Sequence, residues 1–178
     1  AYDGLTDALS KEAMGELTES GNGERGLDRA AQDEIAAGSH QRAAQAQAAG
    51  VFDVEIAPME IPQRKGDPVV VSKDEGVRAD TTAETLAGLR PAFAKEGTIT
   101  AGNASPLSDG AAAVIVTSRA YAEERGLQIL ATVGAPGQTA GPKDSQLHSQ
   151  PSDAIKAALS TQGLEVKDLD FIEINEAF

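Results

Sequence analysis

The sequence predicts an α/β fold. Three observations carry that prediction. Residues 111–174 alternate as strand, helix, strand, loop, helix and strand. Residues 51–73 form a separate β-rich stretch broken by Pro and Gly. Forty per cent of the residues are apolar but only 3 % are aromatic, so small aliphatic side chains and glycines must fill the core and let elements approach closely. With 178 residues there is room for one ordinary domain or two small ones.

Taken in order, residues 3–50 read as helix and loop. Asp28 caps a helix over Arg29–Ala49, which Gly50 ends, with an inner face of Ala and Ile35. The segments "VFDVEIAPMEI" and "DPVVVSKD" read as strands, with Pro58 and Pro62 placing the first at an edge and Gly66 marking a turn: a hairpin arm. Thr81 or Thr82 starts a short helix through Leu89, broken by Pro91. "GTIT" (97–100) is a short strand, and "AGNASPLSDG" (101–110) a run of small, turn-forming residues. "AAAVIVTS" (111–118) is apolar throughout, as in a strand or helix covered on both sides, and reads as a strand in the alternation. Ser118 caps a helix over Arg119–Arg125 that Gly126 ends, and "LQILATVG" is another buried strand. Residues 134–150 form a loop. Pro151 suits the first turn of a helix running to Gly163, and "LDFIEI" (169–174) is the last strand.

Composition removes several function classes. Net charge is −13 and no Lys/Arg cluster is present, so nucleic acid is not a predicted partner. The chain has no cysteine, hence no disulfide, thiolate metal site or cysteine nucleophile of its own. His40 and His148 are the only histidines and lie far apart, so no metal site is expected. No secretory signal opens the chain and no apolar run approaches the ~20 residues of a membrane helix. A cytoplasmic location is the expectation.

Some patterns have ordinary explanations. "GNGERG" (21–26) satisfies G-x-G-x-x-G, but polar "ELTES" precedes it where a dinucleotide site needs a strand, so it reads as a flexible loop. "NAS" (103–105) matches a glycosylation acceptor by chance. Asp74-Glu75 and Glu123-Glu124 read as solvated charges, and His40 as a surface residue.

Two stretches point to chemistry. In "TAGNASPLSDGAAA", small residues open the backbone to close approach, and Asn103, Ser105 and Ser108 offer short polar groups. A tight turn whose Asn and Ser satisfy the local backbone fits equally. In "NEAF" (175–178), Asn175 follows an apolar run at a strand's carboxyl end, where α/β sheets build sites. An amide there orients a water or donates to an oxyanion; alternatively it caps a following helix.

The ordered set "DGLTDA" (3–8), "MG" (14–15), "QDEIAAGSHQRA" (32–43), "EIAP" (55–58), "LRPAF" (89–93), "GTITAGNASPLSDGAAA" (97–113) and "NEAF" resembles the thiolase (acetyl-CoA acetyltransferase) family from end to end. The stretch "GPKDSQLHSQPSDAIKAAL" departs from the commonest form of its region. The resemblance implies a layered thiolase-like α/β fold, incomplete, with an inserted α+β loop domain. It divides the chain into a CoA-binding loop domain (1–108), the remainder of the N-terminal half (109–140) and the start of the C-terminal half (141–178). It covers somewhat under half of a thiolase.

The activity implied is acyl transfer, most simply acetyl, between CoA thioesters. The two directions are thiolysis of 3-ketoacyl-CoA and Claisen condensation of two acetyl-CoA. The family's nucleophilic cysteine, acid/base cysteine and catalytic histidine are not here, so the chain alone is predicted inactive. Asn175 carries over as holder of an oxyanion-hole water. Leu5, Met14, Leu89, Phe93 and Ala101 carry over as pantetheine contacts, and Ser105 as a hydroxyl to the pantetheine amides. Arg78 falls near the nucleotide end, and Phe178 beside the thioester. Thr85 stands where a serine contacts adenine, and Ala13 replaces a histidine of some family members, which leaves acyl preference open. No tightly bound cofactor is implied; CoA and acyl-CoA are substrates. The remaining thiolase segments, and further copies in a dimer or tetramer, are the implied partners. A non-catalytic CoA-binding or scaffold module, and a product of truncation or proteolysis, are the rival expectations.

Overall fold

The computed structural model describes residues 2–140 and 147–178, the side chains of Tyr2 and Asp3 excepted. The chain divides into two units. One comprises residues 1–21 and 106–177, the other residues 22–105 together with Phe178.

The second unit is built on helix α3 (Arg29–Ala48). Asp28 caps it as expected, its carboxylate accepting the Ala31 N–H at 2.8 Å. Gly50, at φ 71°, ends it. There the Val51 N–H reaches back to the Ala46 carbonyl at 3.0 Å and the Gly50 N–H to that of Gln47 at 3.1 Å. The inner face of α3 differs from the expectation. Asp33 and Ala37, one turn apart, are the buried pair, whereas Ile35 is 66 % exposed. Ile35 lies about 200° around the helix from Asp33, which puts it on the opposite face.

Helix α4 (Ala83–Ala87) packs on α3. Thr82, not Thr81, caps it: its hydroxyl accepts the Thr85 N–H while the Thr85 hydroxyl accepts the Thr82 N–H. Leu86 from α4, with Ile99 and Thr100 from the loop beyond, completes the core of this unit. The hairpin arm is present as antiparallel β1 (Met59–Ile61) and β2 (Val69–Val71), with Glu60 opposite Val70. Pro58 and Pro62 bracket β1 and shorten it, and Val51–Glu55 is turn rather than strand. Gly66 at φ 86° lies in the connection.

The first unit opens with α1 (Tyr2–Leu5) and then a loop closed by a Thr6–Ala13 bridge. Helix α2 (Met14–Arg25) follows and runs on into the second unit. It includes most of "GNGERG", so the expected flexible loop is instead a helix end. Gly26 adopts φ 65°, and the Leu27 N–H bonds back to the Asn22 carbonyl at 3.0 Å. Helices α5 (Arg119–Glu124) and α6 (Gln150–Gln162) carry the expected punctuation. Ser118 caps α5, Pro151 sits in the first turn of α6, and Gly126 and Gly163 follow the two helices in left-handed conformations. Residues 141–146 of the predicted 134–150 loop lie outside the described residues.

The expected strands at 111–118, 127–134 and 169–174 carry no regular secondary structure, and "GTIT" contributes a single bridge, Thr100 to Pro91. A strand exists through its ladder, and among the described residues these segments find no lateral partner. Their side chains are correspondingly open: Ile115 is 93 % exposed and Phe171 85 %.

Candidate functional site

The residues singled out from the sequence fall into two groups. In the first unit, Leu5 ends α1 and Met14 begins α2, on either side of the loop that the antiparallel Thr6–Ala13 bridge closes. The loop between them is held locally. The Asp7 carboxylate accepts the Leu9 and Ser10 N–H groups, Lys11 takes φ 65°, and the Glu16 carboxylate accepts the Ala13 N–H at 3.1 Å. Hydrogen bonds from the Ser10 backbone and hydroxyl lead in holding the Asp7 carboxyl below the ordinary aspartate range. Asn175 belongs to this unit and is exposed.

In the second unit the 97–105 loop is tied down along its length. Thr98 Oγ1 accepts from Asn22 Nδ2 at 3.2 Å and from Gln32 Nε2 at 2.9 Å. Asn103 turns inward: its Oδ1 accepts the Thr100 N–H at 2.7 Å, and its Nδ2 donates to the Thr98 carbonyl at 3.1 Å and to Asp33 Oδ1 at 2.9 Å. Arg29 pairs with Asp33 Oδ2 at 2.7 Å and also donates to the Leu86 and Leu89 carbonyls at 2.6 and 3.1 Å. The chain closes tightly at Gly102. A Cβ there would stand 2.5 Å from both Leu86 Cδ2 and Leu89 Cδ1. Ala101, Ser105, Leu89 and Phe93 are left exposed or half-exposed around this anchored loop. Phe93 meets Phe178 edge-to-face, with ring centroids 5.8 Å apart and planes at 82°.

Arg78 and Thr85 have fixed backbones nearby. The Arg78 N–H donates to His40 Nδ1 at 3.2 Å, so His40 is a half-buried anchor rather than a plain surface residue. The Thr85 hydroxyl is engaged in the cap of α4, donating to the Thr82 carbonyl at 2.9 Å. A recess of about 500 Å³ opens between the end of α3 and the hairpin, lined in part by Phe52, Asp53, Ile56 and Lys73. None of the residues predicted from sequence lines it, although Val77 and Ala79, flanking Arg78, do. Among the described residues there is no three-residue cluster of His, Cys, Asp or Glu suited to a metal, and no helix long and apolar enough to cross a membrane.

Sequence reasoning missed Asp33 and Arg29. Their i, i+4 spacing was visible, but their partners lie at positions 86, 89 and 103.

The sequence matches the family models "Thiolase, N-terminal domain" over residues 1–120 and "Thiolase, C-terminal domain" over residues 127–178. The chain belongs to the thiolase family. It is 60 % identical over all 178 residues to a probable acetyl-CoA acetyltransferase of Mycolicibacterium smegmatis, of which it covers 46 %. To a probable acetyl-CoA acyltransferase of Staphylococcus epidermidis it is 46 % identical, covering 99 % of this chain and 44 % of that one. Among solved structures, the Bacillus anthracis acetyl-CoA acetyltransferase superposes with a TM-score of 0.87 at 42 % identity. Human mitochondrial 3-ketoacyl-CoA thiolase gives 0.86 at 36 %. Each match covers 99 % of this chain and 44 % of the other. The chain thus spans under half the length of these relatives, and its fold is an incomplete thiolase fold of helices and a small sheet.

Proposed function

We propose that this chain is the coenzyme A-facing part of an acyl-CoA C-acyltransferase that moves an acyl group, most simply acetyl, between CoA thioesters. The observation that supports this best is the anchored 97–105 loop. It leaves Leu89, Phe93, Ala101 and Ser105 around one buried polar clamp, with apolar surface for a thin flexible arm and a hydroxyl for its amides. The naming of the relatives as acetyl-CoA acetyltransferases points the same way.

In this reading Leu5 and Met14 add apolar pantetheine contacts, Arg78 and Thr85 stand toward the nucleotide, and Phe178 lies beside the thioester. Asn175 orients a water that donates to the thioester oxygen as negative charge develops on it. Residues 1–108 act as the loop domain, 109–140 as the rest of the first half and 141–178 as the start of the second. CoA and acyl-CoA are substrates rather than resident cofactors. The parent enzyme is a cytoplasmic dimer or tetramer.

Covalent acyl transfer needs a thiolate, and the chain has no cysteine. Binding and turnover therefore separate. Calorimetric titration with coenzyme A should give saturable binding, while acetoacetyl-CoA thiolysis by the purified chain should be undetectable. Absence of CoA binding overturns the site reading; robust thiolysis without added protein overturns the assignment of the chain as a non-autonomous part.

A further inference from the structure

We infer that Asp33 is a positioning residue for the pantetheine-facing part of this site, an inference that rests on the coenzyme A reading above. Asp33 is only 2 % exposed, and each of its carboxylate oxygens has a separate partner. Oδ2 accepts from Arg29 Nε at 2.7 Å, and Oδ1 accepts from Asn103 Nδ2 at 2.9 Å. The two partners lead in different directions. Arg29 carries the link to the carbonyls of Leu86 and Leu89, at and just beyond the end of α4. Asn103 carries it to the backbone of Thr98 and Thr100, the floor of the loop that bears Ala101 and Ser105.

One buried carboxylate therefore sets the spacing between two chain segments that belong to different parts of the sequence. On one side stands Leu89, on the other Ala101 and Ser105. Gly102 shows how closely that spacing is drawn, since a Cβ there would stand 2.5 Å from the Leu89 side chain. Of the two nucleotide-side positions, Arg78 is held through its N–H on His40, and Thr85 through its own reciprocal bonds with Thr82.

Only an acceptor with two oxygens serves both arms. An amide at position 33 offers one oxygen and one NH₂ group, so either Arg29 Nε–H or Asn103 Nδ2–H faces another donor. Asp33→Asn must break one arm while keeping the side chain's size. Exchanging the pair, Asp33→Asn with Asn103→Asp, restores both. The amide oxygen then faces Arg29, the amide nitrogen faces the new carboxylate, and that carboxylate still accepts from Thr100; the Arg29 ion pair becomes a bond to a neutral amide, and a carboxylate oxygen replaces the donor that faced the Thr98 carbonyl.

The test uses the full chain and two probes: coenzyme A, and adenosine 3′,5′-bisphosphate, which has the nucleotide end without pantetheine. Asp33→Asn is expected to weaken coenzyme A about tenfold and the bisphosphate by less than about twofold, a pattern that general loss of structure would not give. The exchanged pair is expected to recover part of the lost affinity, since both arms are rejoined while the ion pair and the Thr98 bond are not. Arg29→Lys keeps the ion pair but loses the fork to the two carbonyls, and is expected to weaken coenzyme A about threefold; it carries the test should Asp33→Asn fail to fold. Unchanged coenzyme A affinity in Asp33→Asn, or in Arg29→Lys if that variant stands alone, overturns the inference with the site reading intact. Equal weakening of both probes also overturns it. If the unsubstituted chain binds neither probe, the coenzyme A reading falls and this inference with it.

Discussion

Asp33 and Asn103, seventy positions apart, join side chain to side chain at 2.9 Å beneath the 97–105 loop. Asn103 satisfies backbone groups on its other edges, so it is a spacer and not a free polar group aimed at solvent. Asn103→Ala takes this partner from the Thr100 N–H, the Thr98 carbonyl and one Asp33 oxygen. Loss of these part-buried bonds should destabilise the second unit by about 2–4 kcal/mol. Urea unfolding should show that as a lower midpoint at unchanged m-value.

Gly102→Ala attacks the same region through volume. The added methyl meets the ends of Leu86 and Leu89 at 2.5 Å. Leu86 is buried and cannot yield, while Leu89 is 39 % exposed and can swing outward. A cost of about 1–3 kcal/mol is expected. Because Leu89 is the side chain that moves, coenzyme A affinity should fall along with stability.

Gly137 is less forgiving. A Cβ there would lie 2.7 Å from the Ala158 nitrogen and closer still to the Ala154 carbonyl oxygen, both backbone atoms of α6. No rotamer relieves that clash, so Gly137→Ala should cost about 3 kcal/mol or more. Loss of slow amide exchange along α6, with α3 unaffected, is the expected signature.

Acid should loosen the start of α4. The Thr82 hydroxyl, and then the backbone N–H of Glu84 itself, hold the Glu84 carboxyl below its ordinary value. A depressed folded-state pKa stabilises above the unfolded value and loses that contribution as pH falls through the folded one. The protection factor of the Thr85 amide should therefore fall at pH values below 4.5, the ordinary glutamate value. In Glu84→Gln that fall should vanish.

Exposed Ile115 and Leu130, at 93 % and 88 %, should drive self-association of the isolated chain. Ile115→Lys should change stability by no more than about 0.5 kcal/mol while shifting light-scattering mass toward 18.3 kDa. A variant as associated as the original would show that the adhesive surface lies elsewhere.

Legibility in the sequence follows the range of the interaction. Asp28, Ser118, Pro151 and Gly163 were readable because caps and stops act within one turn. Helix α2 was hidden because its polar, glycine-containing sequence offers no apolar stripe. "AAAVIVTS" carries the composition of a covered strand, yet pairing depends on neighbours that composition cannot supply. At the candidate site, family motifs pointed to Leu89, Ala101 and Ser105 by position alone. The carboxylate beneath them was not legible, since Asn103, its partner on one side, lies 70 residues away, and the carbonyls that Arg29 holds on the other side lie 57 and 60 residues from that arginine.

On the coenzyme A reading proposed above, the cap of α4 limits what an adenine could meet at Thr85. The Thr85 hydroxyl spends its single proton on the Thr82 carbonyl and one lone pair on the Thr82 N–H. One lone pair remains. A visiting purine can be met there by its exocyclic amine but not by a ring nitrogen or a phosphate oxygen, so whichever base edge arrives must bring its own hydrogen.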